Sequence, residues 1–272
     1  MTGSNQGVVS ELIALGAVDV LAVGAHPDDV ELGCGGTLAL CARRGRRAGI
    51  VHLTRGERGT RGTVEGRRRE AEAAAKALGA VHVELLDCGD GGLRTGPCEE
   101  DALIAVLRRL RPELVLAPPP SDRHPDHARA HDLVEAACFY AGLAGRELPG
   151  EGAGLAPHRP AAVFHYMQHD PFEPRFVVDV SSVWEAKREA LACYRSQLHQ
   201  PGGGSGEGGE GGEGAADEEP MTKVASRDFW LAIEGRARHF GLAIGAELGE
   251  PFGSRLPLAV ADPMELLPGG IR

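Results

Sequence analysis

Two short clusters of histidine and aspartate hold the residue types that hydrolytic chemistry needs. The first, Ala25-His26-Pro27-Asp28-Asp29-Val30-Glu31, directly follows the apolar run Val18 to Gly24. A neutral imidazole and a carboxylate at this spacing in a turn can hold one borderline metal such as Zn²⁺, leaving the neighbouring carboxylate free to move a proton. The plainer reading is a Pro-Asp turn whose aspartate caps the next helix. The second cluster, Ser121-Asp122-Arg123-His124-Pro125-Asp126-His127, follows the apolar run Leu114 to Ala117. Two histidines, two aspartates and an arginine packed into residues 122–127 are more than a structural turn requires. Two histidines and one carboxylate with an open position form the ligand set of a hydrolytic zinc site, and the same set holds Fe²⁺. His26 and Asp29 can be completed by His124, His127 or His131, because 124/127 and 127/131 are neighbours on one helix face. His131 is most simply a helix-surface residue.

The elements that must position these clusters follow from hydrophobic periodicity. Val18–Gly24, Ala48–Leu53, Val81–Leu86, Leu114–Ala117, Ala161–Tyr166 and Phe176–Val180 read as strands. Helical patterns lie between or beside them: LGCGGTLALCARRG after the first cluster, then Glu65–Leu78, Asp101–Leu110, Asp126–Tyr140 and Val183–Leu198. This alternation predicts an α/β fold with a doubly wound, mostly parallel, Rossmann-like sheet. In such a sheet the carboxyl ends of the first and fourth strands flank the topological switch point, so both clusters face one cleft. A second, phosphate-binding reading would use Gly33, Gly35 and Gly36 at a helix N-terminus. GCGGT is not GxGxxG, however, and no acidic residue ends the second strand.

Residues 202–214 (GGGSGEGGEGGEG) contain nine Gly and three Glu and no apolar side chain, which predicts a flexible, solvated loop. The expected organisation is an α/β domain over 18–200, this loop within 201–219, and a smaller C-terminal appendage over 220–272. The appendage holds a helix at Ser226–Phe240 and a Pro- and Gly-rich irregular tail. The chain has 272 residues and a formal charge of −10, the wrong sign for a protein that lives on nucleic acid or anionic lipid. No apolar run approaches the roughly 18 residues of a membrane span, and the N-terminus lacks the marks of a signal peptide. The expectation is a soluble cytoplasmic protein with six reduced cysteines in no CxxC pair.

GAHPDDVELGCGGTLA together with PSDRHPDHARA resembles the LmbE-like, or PIG-L-type, zinc-dependent N-acetylglucosamine deacetylases. The likeness extends through LTRGERGTRGTVEGRRREAEAAAKALG, the PHRP segment at 157–160 and EAKREALACYRSQ, over roughly residues 19–200. The wider pattern is most similar to the bacillithiol-biosynthesis branch, the N-acetylglucosaminyl-malate deacetylases. The resemblance implies His26, Asp29 and His127 as ligands of one Zn²⁺ per subunit, and Asp28 as general base. It implies His124 as the group that, as an imidazolium, supports the oxyanion or protonates the leaving amine, with Asp126 as the acid that orients it. Arg67 and Arg159 fall where that branch places substrate-contacting arginines, Arg123 is positioned to bind substrate or reach across a subunit contact, and Tyr194 matches a YxSQ segment. The implied substrate is a small N-acetylglucosamine conjugate, with malate as aglycone and inositol or a glucosamine-thiol conjugate as alternatives. The implied assembly is a homo-oligomer, a trimer or hexamer. The Gly/Glu loop departs from the family pattern, and Gly245–Gly253 matches its closing motif only loosely.

Overall fold

The structure is a computed structural model, and it describes residues 16–200 and 220–262. Its centre is a seven-stranded sheet: β1 Val20–Gly24, β2 Ala48–His52, β3 His82–Leu85, β4 Leu114–Ala117, β5 Ala162–Tyr166, β6 Phe176–Asp179 and β7 Gly249–Gly253. The strand order is β3-β2-β1-β4-β5-β7-β6. The first five strands are mutually parallel, and β7 runs antiparallel between β5 and β6. The order reverses between β1 and β4, where the two clusters emerge at the carboxyl ends.

Among the described residues these helices complete the layers: α1 Asp29–Arg43, α2 Val64–Leu78, α3 Pro97–Leu110, α4 Pro125–Ala141, α5 Trp184–Cys193 and α6 Arg227–Ala243. Alternate side chains of a strand point to opposite faces. Val20, Ala22 and Ile50 therefore pack with Leu38, Ala71, Leu191 and Ile233 on one side. Leu21, Val23 and Val51 pack with Leu103, Leu107 and Leu133 on the other. Thr63 caps α2 by accepting from Gly66 N, and Ser226 caps α6 by accepting from Phe229 N.

The glycine-rich start of α1 has structural work to do. At Gly33 a Cβ would stand 2.1 Å from the ring of Tyr166, whose hydroxyl donates to Val23 O at 2.9 Å. The helix breaks at Cys34 (φ −142, ψ 19), and the freed amides of Gly36 and Thr37 donate to the Glu250 carboxylate at 2.9 and 2.7 Å. Lys187 closes this buried group, donating to Glu250 at 2.5 Å and to Leu32 O at 3.0 Å. The position that the phosphate reading reserved for an anion is thus taken by the protein's own carboxylate from β7.

Two expectations need correction. The stretch read as an irregular tail supplies the buried strand β7, because its antiparallel insertion shields the edge of β5 and carries Glu250 to α1. The helix expected over Val183–Leu198 ends at Cys193, where the backbone leaves helical angles at Tyr194 (φ −82, ψ 62). The Gly/Glu segment 202–214 lies outside the described residues. All six cysteines are free thiols, and among the described residues no helix is long and apolar enough to cross a membrane.

Candidate active site

The two clusters meet as the topology requires. His26 to Asp29 form the turn from β1 into α1, and Asp122 to His127 form the turn from β4 into α4. Asp28 sits at φ +107, a left-handed conformation unusual for a residue with a Cβ; strain of this kind persists where the surroundings over-determine it. The turn is tied by His26 N donating to Asp29 Oδ2 at 2.8 Å.

Asp29 lies between two imidazoles. Its Oδ2 is 3.4 Å from His26 Nδ1 and its Oδ1 is 3.3 Å from His127 Nε2. Each imidazole meets a different oxygen of Asp29, at a spacing close to the roughly 3.3 Å that separates two ligands about 2.0–2.1 Å from one tetrahedral ion. The outer nitrogens of both rings are engaged. His127 Nδ1 hydrogen-bonds Asp122, and Asp122 is itself held by the amides of His169 and Asp170 at 3.0 and 2.7 Å. His26 Nε2 faces Asp90 at 3.2 Å and Asp126 at 3.4 Å. A carboxylate behind each imidazole is the supporting arrangement that fixes the tautomer of a metal-ligating histidine. Other donors crowd the same place: His26, His124 and His127 group together, as do Asp122, His127 and His169, and His26, Asp90 and Asp126.

Burial and charge set the protonation of the cluster. Burial pushes the Asp28 carboxyl up to about 7, with the Arg67 guanidinium pulling the other way. Burial alone would lower the imidazoles of His26 and His127. The hydrogen bonds from Asp126, Asp29 and Asp90 reverse this at His26, which is raised. The charge of Asp29 and the bond to Asp122 reverse it at His127, which rises to about 9. Asp29 is held well below the usual carboxylate range, its burial outweighed by His127 and His26. His124 moves the other way: burial and the charges of His26 and His127 lower it.

His124 Nδ1 accepts from Asp126 N at 3.2 Å, which leaves its Nε2 to carry a proton as a donor. Asp126 therefore orients His124 through its backbone amide. Its carboxylate is engaged instead by Gly92 N at 3.2 Å, Leu93 N at 3.0 Å, Arg129 at 3.1 Å and His26.

The expected substrate-binding residues divide. Arg67, in the first turn of α2, is buried at the site, where it donates to Pro27 O and lies 3.6 Å from Asp28 Oδ2. It braces the turn that carries Asp28 from within. Arg123 is exposed and lines a cavity beside the centre. Tyr194 is fully buried below the centre, its hydroxyl donating to Glu31 Oε1 at 3.0 Å, so it supports α1 and does not reach the cleft. Arg159 is misplaced outright. It precedes β5, stacks on Phe139 at 4.5 Å and donates to Phe139 O. This is the far end of α4, about 18 Å along the helix from His127.

Sequence reasoning left three supporting residues without a role: Asp122 behind His127, Asp90 behind His26, and Gln168, which donates to Asp29 Oδ1 at 2.6 Å. Asp122 lay inside the second cluster and was within reach; Gln168, in the loop after β5, carried no local signal.

Fold and site together define a Rossmann-like α/β protein with an imidazole–carboxylate centre at its switch point. The family profile described as PIG-L, GlcNAc-PI de-N-acetylase, matches residues 21–138. The diacetylchitobiose deacetylase of Thermococcus kodakarensis is 35% identical over 189 residues, covering 66% of this chain and 70% of that protein. The 4-oxalmesaconate hydratase of Pseudomonas putida is 34% identical over 192 residues, covering 66% and 74%. Among solved structures, the conserved protein TT1542 from Thermus thermophilus superposes with a TM-score of 0.75 at 37% identity, covering 90% of this chain and 97% of that one. The chain belongs to the PIG-L, or LmbE-like, deacetylase family.

Proposed function

We propose that the protein hydrolyses the acetamide of a small N-acetylglucosamine conjugate, releasing acetate and the free amine, with His26, Asp29 and His127 holding one divalent metal ion. The observation that carries this reading is the convergence of His26 Nδ1 and His127 Nε2 on Asp29, beside a strained and buried Asp28. When bound there, Zn²⁺ or Fe²⁺ supplies Lewis-acid polarisation of the amide carbonyl and of attacking water.

The chain's own residues do the rest. Asp28, buried beside the proposed ligands, takes the proton that water loses as its oxygen adds to the carbonyl carbon. The Nε2–H of His124 donates to the oxygen on which charge develops. As the C–N bond breaks, Asp28 returns its proton to the departing nitrogen, so the base is regenerated. Arg67, which donates to Pro27 O and lies 3.6 Å from Asp28 Oδ2, keeps Asp28 in place.

Family membership alone does not choose the reaction, since one relative is named a hydratase and both reactions add water. The paired motifs and the diacetylchitobiose deacetylase favour amide hydrolysis. Of the two arginines that the resemblance to the bacillithiol branch offered to a malate aglycone, Arg67 is committed to the turn and Arg159 lies at the opposite end of the sheet. The test is incubation of metal-loaded enzyme with acetylated amino sugars and, in parallel, with an unsaturated dicarboxylate. Acetate release that stops on chelation and returns with metal supports the reading. Hydration of the alkene without acetate release overturns it.

A further inference from the structure

A cavity of about 540 Å³ opens beside the centre, between the loops that follow β4 and β5 and the face of α6. It is joined to the candidate centre through shared residues. The ring of His169 stacks on His127 at 5.7 Å and meets Phe229 of α6 at 5.8 Å, while Gln168 lines the cavity and bonds Asp29. The wall is built into the fold: the guanidinium of Arg236 on α6 donates to Gln168 O and, at 3.1 Å, to Leu32 O, fastening the helix to both sides of the site.

We propose that this cavity is the aglycone subsite, and that Phe229, Lys223 and Asp228 select a neutral, polyhydroxylated ring. The proposal rests on the amidase reading above, and the charge and shape of the lining carry it. With Arg236 committed to backbone carbonyls, the remaining charged groups are Arg123 and Lys223 against Asp170 and Asp228. Two cations and two carboxylates sum to zero, and among the described residues none of the four side chains has an ion-pair partner. Hydroxyls both donate and accept, so a sugar or cyclic polyol satisfies both signs of this lining, whereas a dicarboxylate such as malate can pair only with the two cations and leaves Asp170 and Asp228 without donors. Phe229 and His169, tilted 44° to one another, offer an aromatic wall for the C–H face of a ring. The volume lies within the range of small-molecule sites. The selecting residues all lie beyond 220, past the part of the chain where the family profile matches, which leaves this segment free to set the aglycone.

The experiment compares kcat/KM for N,N′-diacetylchitobiose, the N-acetylglucosaminyl conjugates of inositol and malate, and free N-acetylglucosamine. The expected order places both neutral conjugates above malate. In Phe229→Ala the ratio of disaccharide to monosaccharide kcat/KM is expected to fall about tenfold, the loss of one stacking contact. Because Phe229 is half-buried, charge variants give a second test: Asp228→Asn, which removes a carboxylate, should narrow the preference for inositol over malate conjugate, and Lys223→Met, which removes a cation, should widen it. Calorimetric titration of chelated enzyme with diacetylchitobiose reads the subsite without turnover, and Phe229→Ala should weaken that binding. Unchanged ratios in all three variants, or preference for malate, overturn the subsite while leaving the amidase reading intact. Absence of acetate release from every substrate overturns the amidase reading, and the titration then still decides whether the cavity binds the sugar.

Discussion

Replacing Asp28 by asparagine should remove activity and, in the metal-free protein, add stability. Burial raises this carboxyl from 3.8 to about 7, so the folded state favours its protonated form. Between pH 4 and 7 the native protein binds the extra proton and the unfolded chain does not, so stability falls as pH rises through that window and levels off above it. A rise from 3.8 to about 7 is worth roughly 4 kcal/mol of destabilisation at pH 8. Asparagine has the same shape, carries no charge and tolerates positive φ better than most residues. Chelated wild type and Asp28→Asn should therefore match near pH 4 and separate by up to about 4 kcal/mol at pH 8, on the order of 10 °C in Tm for a chain of this size. Turnover of the metal-loaded variant should fall about 10²- to 10⁴-fold, the range for losing a general base. Thermal melts across pH on both chelated proteins check the first part and acetate release the second. Parallel pH–stability curves, or a variant less stable at pH 8, would refute the electrostatic reasoning.

Other perturbations address the support around the site. Asp122→Asn, which weakens the hold on His127 Nδ1, should reduce metal affinity about 10- to 100-fold in a chelator competition. Glu250→Ala should cost about 3–5 kcal/mol, because it strands Lys187 in the core; Lys187→Met combined with Glu250→Gln should recover part of that loss in denaturant melts. Gly33→Ala drives a methyl into Tyr166 and should destabilise by about 1–3 kcal/mol, a figure that equilibrium unfolding reads directly. Arg159→Ala, at the amino end of β5, should leave kcat/KM within about twofold; a tenfold loss would place substrate where the fold does not.

Much of this was readable from residue order because topology converts sequence position into place. A loop that follows a parallel strand lies at the carboxyl edge, so His26 to Asp29 after β1 and Asp122 to His127 after β4 had to share a cleft. The same rule could have excluded Arg159, which precedes β5 and so lies at the opposite edge. The PHRP motif that singles it out carries no information about the edge. Arg67, opening the helix after β2, is at the correct edge, but its burial against Pro27 depends on packing that spacing does not encode. Gln168 and Glu250 reach their partners across more than a hundred residues, and no local pattern announces such pairs. Strand β7 was hidden because Gly249, Glu250 and Pro251 lack the β-branched signature of a strand. It is buried through its neighbours, with Pro251 paired to Val177 in the ladder.

The central claim is that this cleft cuts an amide with Asp28 as its proton carrier. The most direct measurement is quantitation of acetate and newly exposed amine from diacetylchitobiose, for metal-loaded wild type and Asp28→Asn side by side. The account predicts equal amounts of acetate and amine from the wild type and a loss of at least about a hundredfold in the variant. Release by Asp28→Asn at the wild-type rate, or no acetate from the loaded wild type, would contradict it.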